Sequence, residues 1–296
     1  MKYVALTGGL GNQMFIYAFC VGLRQRGIKT VLFVPRDNNS KGYGDQGYDL
    51  DKLFDIQEFE DWKSRIQSTC LKQYNNFIRL FPARFKAPLF RYVGVEMVKV
   101  PENFIFYPSV FEFRHKHQLF MGTWQSEQFF DGAASLVRES FQFKQTLLSP
   151  LTVELSESMQ LENSVSIHIR RGDYLSDQYS NGFAGVCTDE YYRDAMDYLQ
   201  REIESPRYYV FTDDKEWVKE NFRLDNAVYV QHNTGSNSWQ DMYLMSRCKH
   251  NIIANSSFSW WGAWLNTHPD KIVVAPKKWW RLFEKDDVVP DNWVRI

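Results

Sequence analysis

Two adjacent arginines, Arg170 and Arg171, follow a predicted buried strand and could hold a phosphate group. Residues 165–170 alternate apolar with polar side chains, which is the two-residue period of a β-strand. His168 and Arg170 therefore project from the same face, about 7 Å apart. Open α/β sheets bind ligands at the carboxyl ends of their strands, and arginine can hold phosphate through two parallel hydrogen bonds. The segment predicts an enzyme that holds a diphosphate with arginine.

Three further junctions between a predicted strand and a predicted helix carry polar or glycine-rich residues. They are the glycine turn at residues 8–13, the Thr-Asp-Asp sequence at 212–214 and the Asn-Ser-Ser sequence at 255–257. In a parallel sheet the last two are expected at the same edge as Arg170, so they should converge in space. The N–H groups and hydroxyls at 255–257 suit an anion, whereas helix capping explains one of these polar residues but not three.

Asp213 and Asp214 fit three different roles at the end of a strand. A carboxylate there can accept two N–H bonds from the edge of a guanine base, bind a metal ion or cap the following helix. The one Asp-x-Asp triplet, at residues 49–51, precedes a predicted helix, so capping explains it better than metal binding. In the glycine turn, Asn12 can offer a ligand both a donor and an acceptor, or simply cap the helix.

Length and composition restrict the class of protein. A chain of 296 residues, 44% of them hydrophobic, can form one large domain or two smaller ones, and its net charge of −1 does not indicate nucleic-acid binding. The four cysteines are far apart, no signal-like segment opens the chain, and no apolar run reaches the ~20 residues of a spanning helix. These features predict a cytoplasmic protein with reduced thiols.

Aromatic residues are unusually frequent in two parts of the chain. Eight of the ten tryptophans follow residue 216, which is typical of a bulky core or, alternatively, of a sugar-stacking surface. Residues 63–95 contain seven Lys or Arg, many aromatics and no acidic residue. This stretch predicts either contact with an anionic partner or membrane surface, or a helical cap packed on the enzyme, of which the cap is favoured.

The elements that must position these residues alternate strand and helix after a boundary near residue 150. This alternation is typical of a doubly wound, mostly parallel sheet. Its strands are predicted at residues 165–170, 208–212, 227–230, 251–254 and 271–275. The first half opens with a βαβ unit at residues 2–34, whose helix is predicted at 14–26. It continues with an irregular helical stretch at 51–100 and with strands at 104–107 and 119–121.

Together these motifs resemble those of the bacterial α-1,2-fucosyltransferases. The matching segments occur in the family's order at residues 8–15, 168–173, 211–214 and 255–261. The His-x-Arg-Arg-x-Asp element is shared more widely with α-1,6- and protein O-fucosyltransferases. The Ser-Phe-Ser-Trp-Trp element points to the α-1,2 group. Residues 37–120 carry no matching motif, so acceptor choice is expected to depend on them.

The resemblance implies an α/β, GT-B-like fold with two Rossmann-like domains facing a central cleft. Residues 1–150 would form an N-terminal acceptor-side domain with a helical insertion, and residues 151–296 a C-terminal GDP-fucose-binding domain. The implied reaction transfers L-fucose from GDP-fucose to the 2-hydroxyl group of a terminal β-galactose, with inversion and without a metal ion. The implied partners are therefore GDP-fucose and a galactose-terminated glycan.

The resemblance also assigns roles to individual residues. Arg170 would bind the β-phosphate, while His168 and one of Asp213 or Asp214 would contact the nucleoside. Asn12 would face the reacting fucose or the acceptor. The donor-binding set is completed by Asn255, Ser256, Ser257 and Phe258.

The chemistry of the residues agrees with this assignment but leaves the general base open. Negative charge grows on the departing phosphate oxygen, and a fixed guanidinium can meet that charge where no metal motif is present. Asp173 is the candidate base, or else it orients Arg170 or Arg171. Two alternatives remain: a fucosyltransferase of another linkage, such as α-1,6, and a non-catalytic carbohydrate-binding protein suggested by the tryptophans alone. The second leaves the arginines and the serine-capped helix unexplained.

Overall fold

The structure is a computed structural model and describes residues 1–33, 50–56, 70, 73–75, 77, 80–100, 104–113, 115–176 and 182–296. The chain divides into two compact units, Met1–Gln142 and Phe143–Ile296. The segment just before residue 150 belongs to the second unit because its side chains pack there. Phe143 stacks on Trp239 with ring centroids 5.8 Å apart, and the Ser149 backbone N–H donates to Gln240 Oε1 at 2.8 Å.

The first unit is built on a parallel sheet with the strand order β2-β1-β4-β3. The strands are β1 (Lys2–Ala5), β2 (Thr30–Phe33), β3 (Val95–Lys99) and β4 (His117–Met121). The helices are α1 (Leu10–Gln25), α2 (Leu50–Leu53), α3 (Lys86–Tyr92) and α4 (Ala134–Ser140). Since Val4 pairs with Phe120, the segments that follow β1 and β4 emerge at the same edge.

Two predictions for the first unit are wrong. Residues 104–107 do not form a strand: Phe104 has a left-handed backbone with φ of 55°, and a 3-10 turn follows at Pro108–Phe111. The prediction of an irregular helical stretch at 51–100 is confirmed at α2 and α3 but is wrong at its end, where strand β3 pairs with β4 along its whole length. Residues 57–69 of that stretch lie outside the described residues. At β3 the neighbouring strand decides the secondary structure, and the local sequence does not. The half-buried side chains of β3 fit a pleated surface only when a partner strand is present.

The second unit contains a six-stranded parallel sheet with the order β10-β9-β8-β5-β6-β7, which confirms the predicted alternation of strands and helices. The strands are β5 (Ser164–Ile169), β6 (Arg207–Thr212), β7 (Ala227–Tyr229), β8 (His250–Ile252), β9 (Val273–Ala275) and β10 (Val294–Arg295). The helices are α5 (Pro150–Leu161), α6 (Asp189–Glu202), α7 (Lys215–Asn221), α8 (Trp239–Arg247) and α9 (Ser257–Leu265). Every residue of β5 is buried, as expected for a central strand covered on both faces.

Most of the tryptophans fill the core. Trp260, Trp261 and Trp279 are fully buried, and Trp260 also donates its indole N–H to the Val288 carbonyl at 2.8 Å. The core interpretation is therefore confirmed for these rings, which have no face left for a sugar.

In the part of the chain that the structure describes, no helix has the length and apolar character needed to cross a membrane.

Candidate functional site

The arginine pair lies at the centre of the second sheet, where β5 ends. Ile169 pairs with Thr212 at the end of β6, and Ile167 pairs with Ile252 at the end of β8. The parallel strands therefore deliver three segments to one edge: the arginines after β5, the two aspartates after β6, and the Asn-Ser-Ser segment after β8. The predicted convergence of these junctions is confirmed.

Asp213 holds Arg170 in place. Its Oδ2 lies 3.1 Å from Arg170 Nη1, and its Oδ1 accepts a hydrogen bond from the Arg171 backbone N–H at 2.9 Å. Gly172 is required beside this pair because a Cβ there would come within 2.7 Å of Asp213 Oδ2. Tyr174 adds its ring 5.7 Å from the Arg170 guanidinium. One oxygen of Asp213 thus orients the guanidinium that the sequence predicts as the phosphate ligand, and the other fixes the backbone of the next residue.

Arg171 serves a different purpose. Its Nε lies 3.3 Å from Asp214 Oδ2, and its guanidinium stacks 3.7 Å from the centre of the Trp217 ring. Asp214 also caps α7, since its Oδ1 accepts from the Trp217 backbone N–H at 3.2 Å. Arg171 and Asp214 therefore lock the turn between β6 and α7, and capping is confirmed as a role of Asp214. A contact between either aspartate and guanine stays a prediction.

His168 is buried beside Arg170, with its ring 5.9 Å from that of Phe258. Burial is the main factor that lowers the pKa of His168 to about 3; the charge of Arg170 lowers it further, and Asp213 opposes the shift. The imidazole is therefore neutral at ordinary pH. Its Nδ1 is buried, and no residue that the structure describes forms a hydrogen bond with it. An orphaned buried nitrogen in this position suits a bound ligand.

The start of α9 combines capping with an anion-binding geometry. Ser256 is the N-cap, and its Oγ accepts from the Phe258 backbone N–H at 3.3 Å. Ser257 is the first residue of the helix and is half-buried. The first N–H groups of a helix lack intrahelical acceptors and carry partial positive charge. Since β8 lies next to β5, this charge lies at the same sheet edge as Arg170.

Asn255 joins several segments around the site. Its Nδ2 donates to the carbonyls of Phe183 at 3.1 Å and Trp279 at 3.2 Å, and its Oδ1 accepts from Cys187 Sγ at 3.5 Å. Its own carbonyl accepts from the Tyr174 hydroxyl at 2.8 Å. The side-chain amide is thus committed to the protein, which makes Asn255 a support for the site; its expected contact with the donor stays a prediction.

The structure describes only the backbone of Asp173, which begins a 3-10 turn ending at Leu175. The Leu175 N–H donates to the Arg171 carbonyl at 3.1 Å and so folds the turn back on the arginines. The Asp173 carboxylate lies outside the described residues, and its expected role as a base stays a prediction. Among the residues that are described, no group of three or more His, Cys, Asp or Glu could hold a metal ion.

A second polar cluster lies in the first unit, at the shared edge of β1 and β4. Helix α1 begins at Leu10 and not at residue 14 as predicted, so most of the segment predicted as a glycine turn is helical and Asn12 lies in the first turn of the helix. Gly8 has φ of 78°, and a Cβ there would lie 2.7 Å from Asn12 Nδ2. Asn12 Oδ1 accepts a hydrogen bond from Gln125 Nε2 at 2.7 Å. Trp124, just before Gln125, has an unusual left-handed backbone with φ of 53°.

Sequence reasoning missed Gln125, Tyr174 and a buried carboxyl group, Asp241. Gln125 follows β4, and the rule applied to the other strand ends would have found it. Asp241 lies on α8 and accepts from Asn233 Nδ2 at 2.8 Å. Burial raises the pKa of Asp241 to about 7, against the opposing effects of Asn233 and Lys215. A carboxyl group so perturbed is a candidate functional group, but no motif in the sequence marks it.

Comparison with known proteins identifies relatives along the whole chain. A family model described as glycosyl transferase family 11 matches residues 103–296. The O-antigen biosynthesis glycosyltransferase WbnK of Escherichia coli is 33% identical over 99% of this chain and 100% of its own length. An alpha-1,2-colitosyltransferase of Escherichia coli is 34% identical over 98% of this chain and 97% of its own length. The galactoside alpha-(1,2)-fucosyltransferase 1 of Ateles belzebuth is 26% identical over 45% of this chain and 38% of its own length.

Among solved structures, the NodZ alpha-1,6-fucosyltransferase co-crystallized with GDP has a TM-score of 0.50 and 12% sequence identity. The match covers 88% of this chain and 91% of that one. At this identity the likeness concerns the fold alone. It confirms the expected α/β fold of GT-B type, built here from two units with parallel sheets.

Proposed function

Since the chain belongs to glycosyl transferase family 11, we propose that it transfers L-fucose from GDP-fucose to the 2-hydroxyl group of a terminal β-galactose. The family makes the protein a glycosyltransferase. The names of its α-1,2-specific relatives support the linkage, and the GDP in the related NodZ structure supports a guanine nucleotide as the carrier of the sugar.

The observation that carries the proposal is the fixed position of Arg170. Its guanidinium lies at the carboxyl end of strand β5, and Asp213 orients it before any ligand binds. As the bond between the fucose anomeric carbon and the phosphate oxygen breaks, negative charge accumulates on that oxygen. A preorganised guanidinium stabilises this charge more in the transition state than in the bound donor, which accelerates the reaction.

The transfer proceeds by direct displacement with inversion. The acceptor 2-hydroxyl oxygen forms its bond to the anomeric carbon from one side while the GDP oxygen departs from the other. The hydroxyl proton goes to a base, for which Asp173 is the candidate, or to the departing phosphate. The N–H groups at the start of α9, with Ser256 and Ser257, assist Arg170 at the diphosphate.

The neutral imidazole of His168 fits the nucleoside end of the donor. A cationic histidine beside Arg170 would repel it, and the low pKa of His168 avoids that cost. The orphaned Nδ1 would gain a hydrogen bond when the nucleoside binds. Arg170 and the N-terminus of α9 supply positive charge from the protein itself, and this supports a reaction that proceeds without a metal ion.

A second candidate donor follows from the similarity to the colitosyltransferase. Colitose has the shape of fucose without its 3-hydroxyl group, so one site could accept either sugar. A protein that transfers colitose would use the same arginine and the same inversion. The two candidates differ only in the contacts made to the sugar.

The test is to incubate the protein with GDP-fucose or GDP-colitose and a panel of β-galactosides, and to determine the product linkage by NMR. We expect an α-1,2-linked fucosyl galactoside. An α-1,6 or other linkage would assign the chain to a different specificity. Faster transfer from GDP-colitose would reverse the choice of donor. Glycan binding without any transfer would favour the non-catalytic alternative.

A further inference from the structure

A group of large apolar side chains is exposed on the first unit. Six of the thirteen exposed large hydrophobic side chains among the described residues fall between residues 77 and 93. We refer to this group as the apolar patch, and it consists of Phe77, Leu80, Phe81, Phe85, Tyr92 and Val93. Leu80 is 82% exposed and Tyr92 is 89% exposed. The rings of Phe77 and Phe81 also lie together in space, with centroids 5.4 Å apart. Exposed apolar side chains that lie together mark an interaction surface, whereas single exposed apolar residues do not.

The fold holds the side chain of Tyr92 outward. Phe90, on the opposite side of α3, is 1% exposed and packs in the core of the first unit. The Tyr74 ring lies 5.7 Å from that of Phe90, and the Tyr74 hydroxyl donates to the Leu89 carbonyl at 2.7 Å. Because the inner side of α3 is fixed in this way, the helix cannot rotate to bury Tyr92 without exposing Phe90.

Positive charge is interleaved with the apolar patch. Arg84 stacks 4.9 Å from the Phe85 ring centre, and Lys86 begins α3. Arg91 pairs with Glu96 at 3.0 Å. No acidic residue occurs between residues 63 and 95, although the whole chain has a net charge of −1. Arg84 therefore places positive charge against the exposed ring of Phe85, and the sequence that carries the patch is cationic in a chain that is nearly neutral.

We propose that the apolar patch binds the surface of an anionic phospholipid bilayer. Aromatic and aliphatic side chains next to Lys and Arg suit the boundary between head groups and acyl chains, where the rings insert and the cations meet lipid phosphates. A nucleic acid would need a longer run of exposed cations and little apolar surface. No residue of the patch belongs to the donor site around Arg170, so a failure of vesicle binding would leave the proposed fucosyl transfer unaffected.

The test is flotation of the full chain with phosphatidylcholine vesicles, with and without phosphatidylglycerol, at low and high salt. We expect binding only to the vesicles that contain phosphatidylglycerol, weakened by salt. A Leu80→Ser, Tyr92→Ser double variant should bind at least tenfold more weakly. Arg84→Glu reverses one charge and should weaken binding about 25-fold, since each charge near an anionic surface is worth about a factor of five.

Matched controls make the same changes elsewhere. Leu161 and Leu282 are 87% and 65% exposed in the second unit, and Arg201 is exposed on α6. The Leu161→Ser, Leu282→Ser variant and Arg201→Glu should float like the wild type. Each variant is also checked for folding by circular dichroism and for size by light scattering, and its KM for a soluble galactoside is measured.

Four results would overturn the proposal. One is a wild-type chain that does not float with anionic vesicles. Another is a loss of binding that the controls share. Self-association that the Leu80→Ser, Tyr92→Ser changes abolish would assign the patch to a second copy of the chain. Finally, if the Leu80→Ser, Tyr92→Ser variant binds vesicles like the wild type but has a raised KM for the galactoside, the patch contacts the acceptor.

Discussion

Replacing Asp213 by asparagine separates two roles for its carboxylate, holding Arg170 or contacting the guanine base. Asn keeps the shape of the side chain and can still accept the hydrogen bond from the Arg171 N–H at Oδ1, but it loses the charge that attracts Arg170 Nη1. The two side chains are 28% and 24% exposed, so the net cost to folding should be only about 0.2–1 kcal/mol.

The effect on catalysis should be larger. An untethered Arg170 guanidinium can move by about 1 Å, and misplacement on that scale can lower a rate by about 10²-fold. We therefore expect kcat of Asp213→Asn to fall about 10- to 100-fold at saturating donor, with GDP affinity changed less than kcat. Asp214→Asn is the matched control: it can still cap α7 and should retain near-normal kcat.

The assays are isothermal titration with GDP, steady-state transfer to a β-galactoside and urea unfolding. If GDP binds at least tenfold more weakly to Asp213→Asn while kcat at saturation is normal, the carboxylate contacts the base and the positioning argument is wrong. If Asp214→Asn loses as much kcat as Asp213→Asn, the effect belongs to the turn as a whole.

Three further predictions follow from the same structure. Turnover in excess EDTA should stay within a few-fold of the control, and complete loss that Mg²⁺ or Mn²⁺ restores would contradict the arginine-only site. Asn12→Ala should lower kcat more than it weakens GDP binding, and Gln125→Glu, which cannot donate to Asn12 Oδ1, should do the same. A normal kcat in a folded variant would leave the pair a purely structural role, since Gly9 and not Asn12 is the N-cap of α1. Asp241 has a folded-state pKa of about 7, above its unfolded value, so it favours folding most at low pH and loses this contribution as pH rises from about 4 to about 7. Unfolding titrations should find that Asp241→Asn flattens this decline, and an unchanged slope would show that Asp241 does not titrate in this range.

The second unit was the more predictable half because its strands and helices can be read from short stretches of sequence. Strands and helices alternate along most of its length, and chemistry in a parallel sheet collects at the strand ends. Arg170, Asp213 and Ser256 could therefore be placed at one edge from their sequence positions alone. What each side chain does there was less accessible, since the pairing of Arg170 with Asp213 and of Arg171 with Asp214 depends on distances between strands.

The first unit was harder to predict because its strands depend on distant partners. Strand β3 was hidden in a stretch rich in aromatic and basic residues, and only pairing with β4 makes it a strand. Gln125 and Asp241 were missed for a related reason. Gln125 gains meaning through its hydrogen bond with Asn12, 113 positions away in the chain, and Asp241 through burial, which no local pattern reveals.

Replacing Arg170 by lysine is the most direct test of the central claim, that a preorganised guanidinium stabilises the departing phosphate. Lysine keeps the charge but lacks the planar fork with which arginine can hold two phosphate oxygens at once. We expect Arg170→Lys to be nearly as damaging as Arg170→Ala, with kcat reduced about 10²–10³-fold in the fucosyl-transfer assay. If Arg170→Lys keeps more than about a tenth of wild-type turnover, Arg170 supplies only bulk positive charge and geometric stabilisation is wrong.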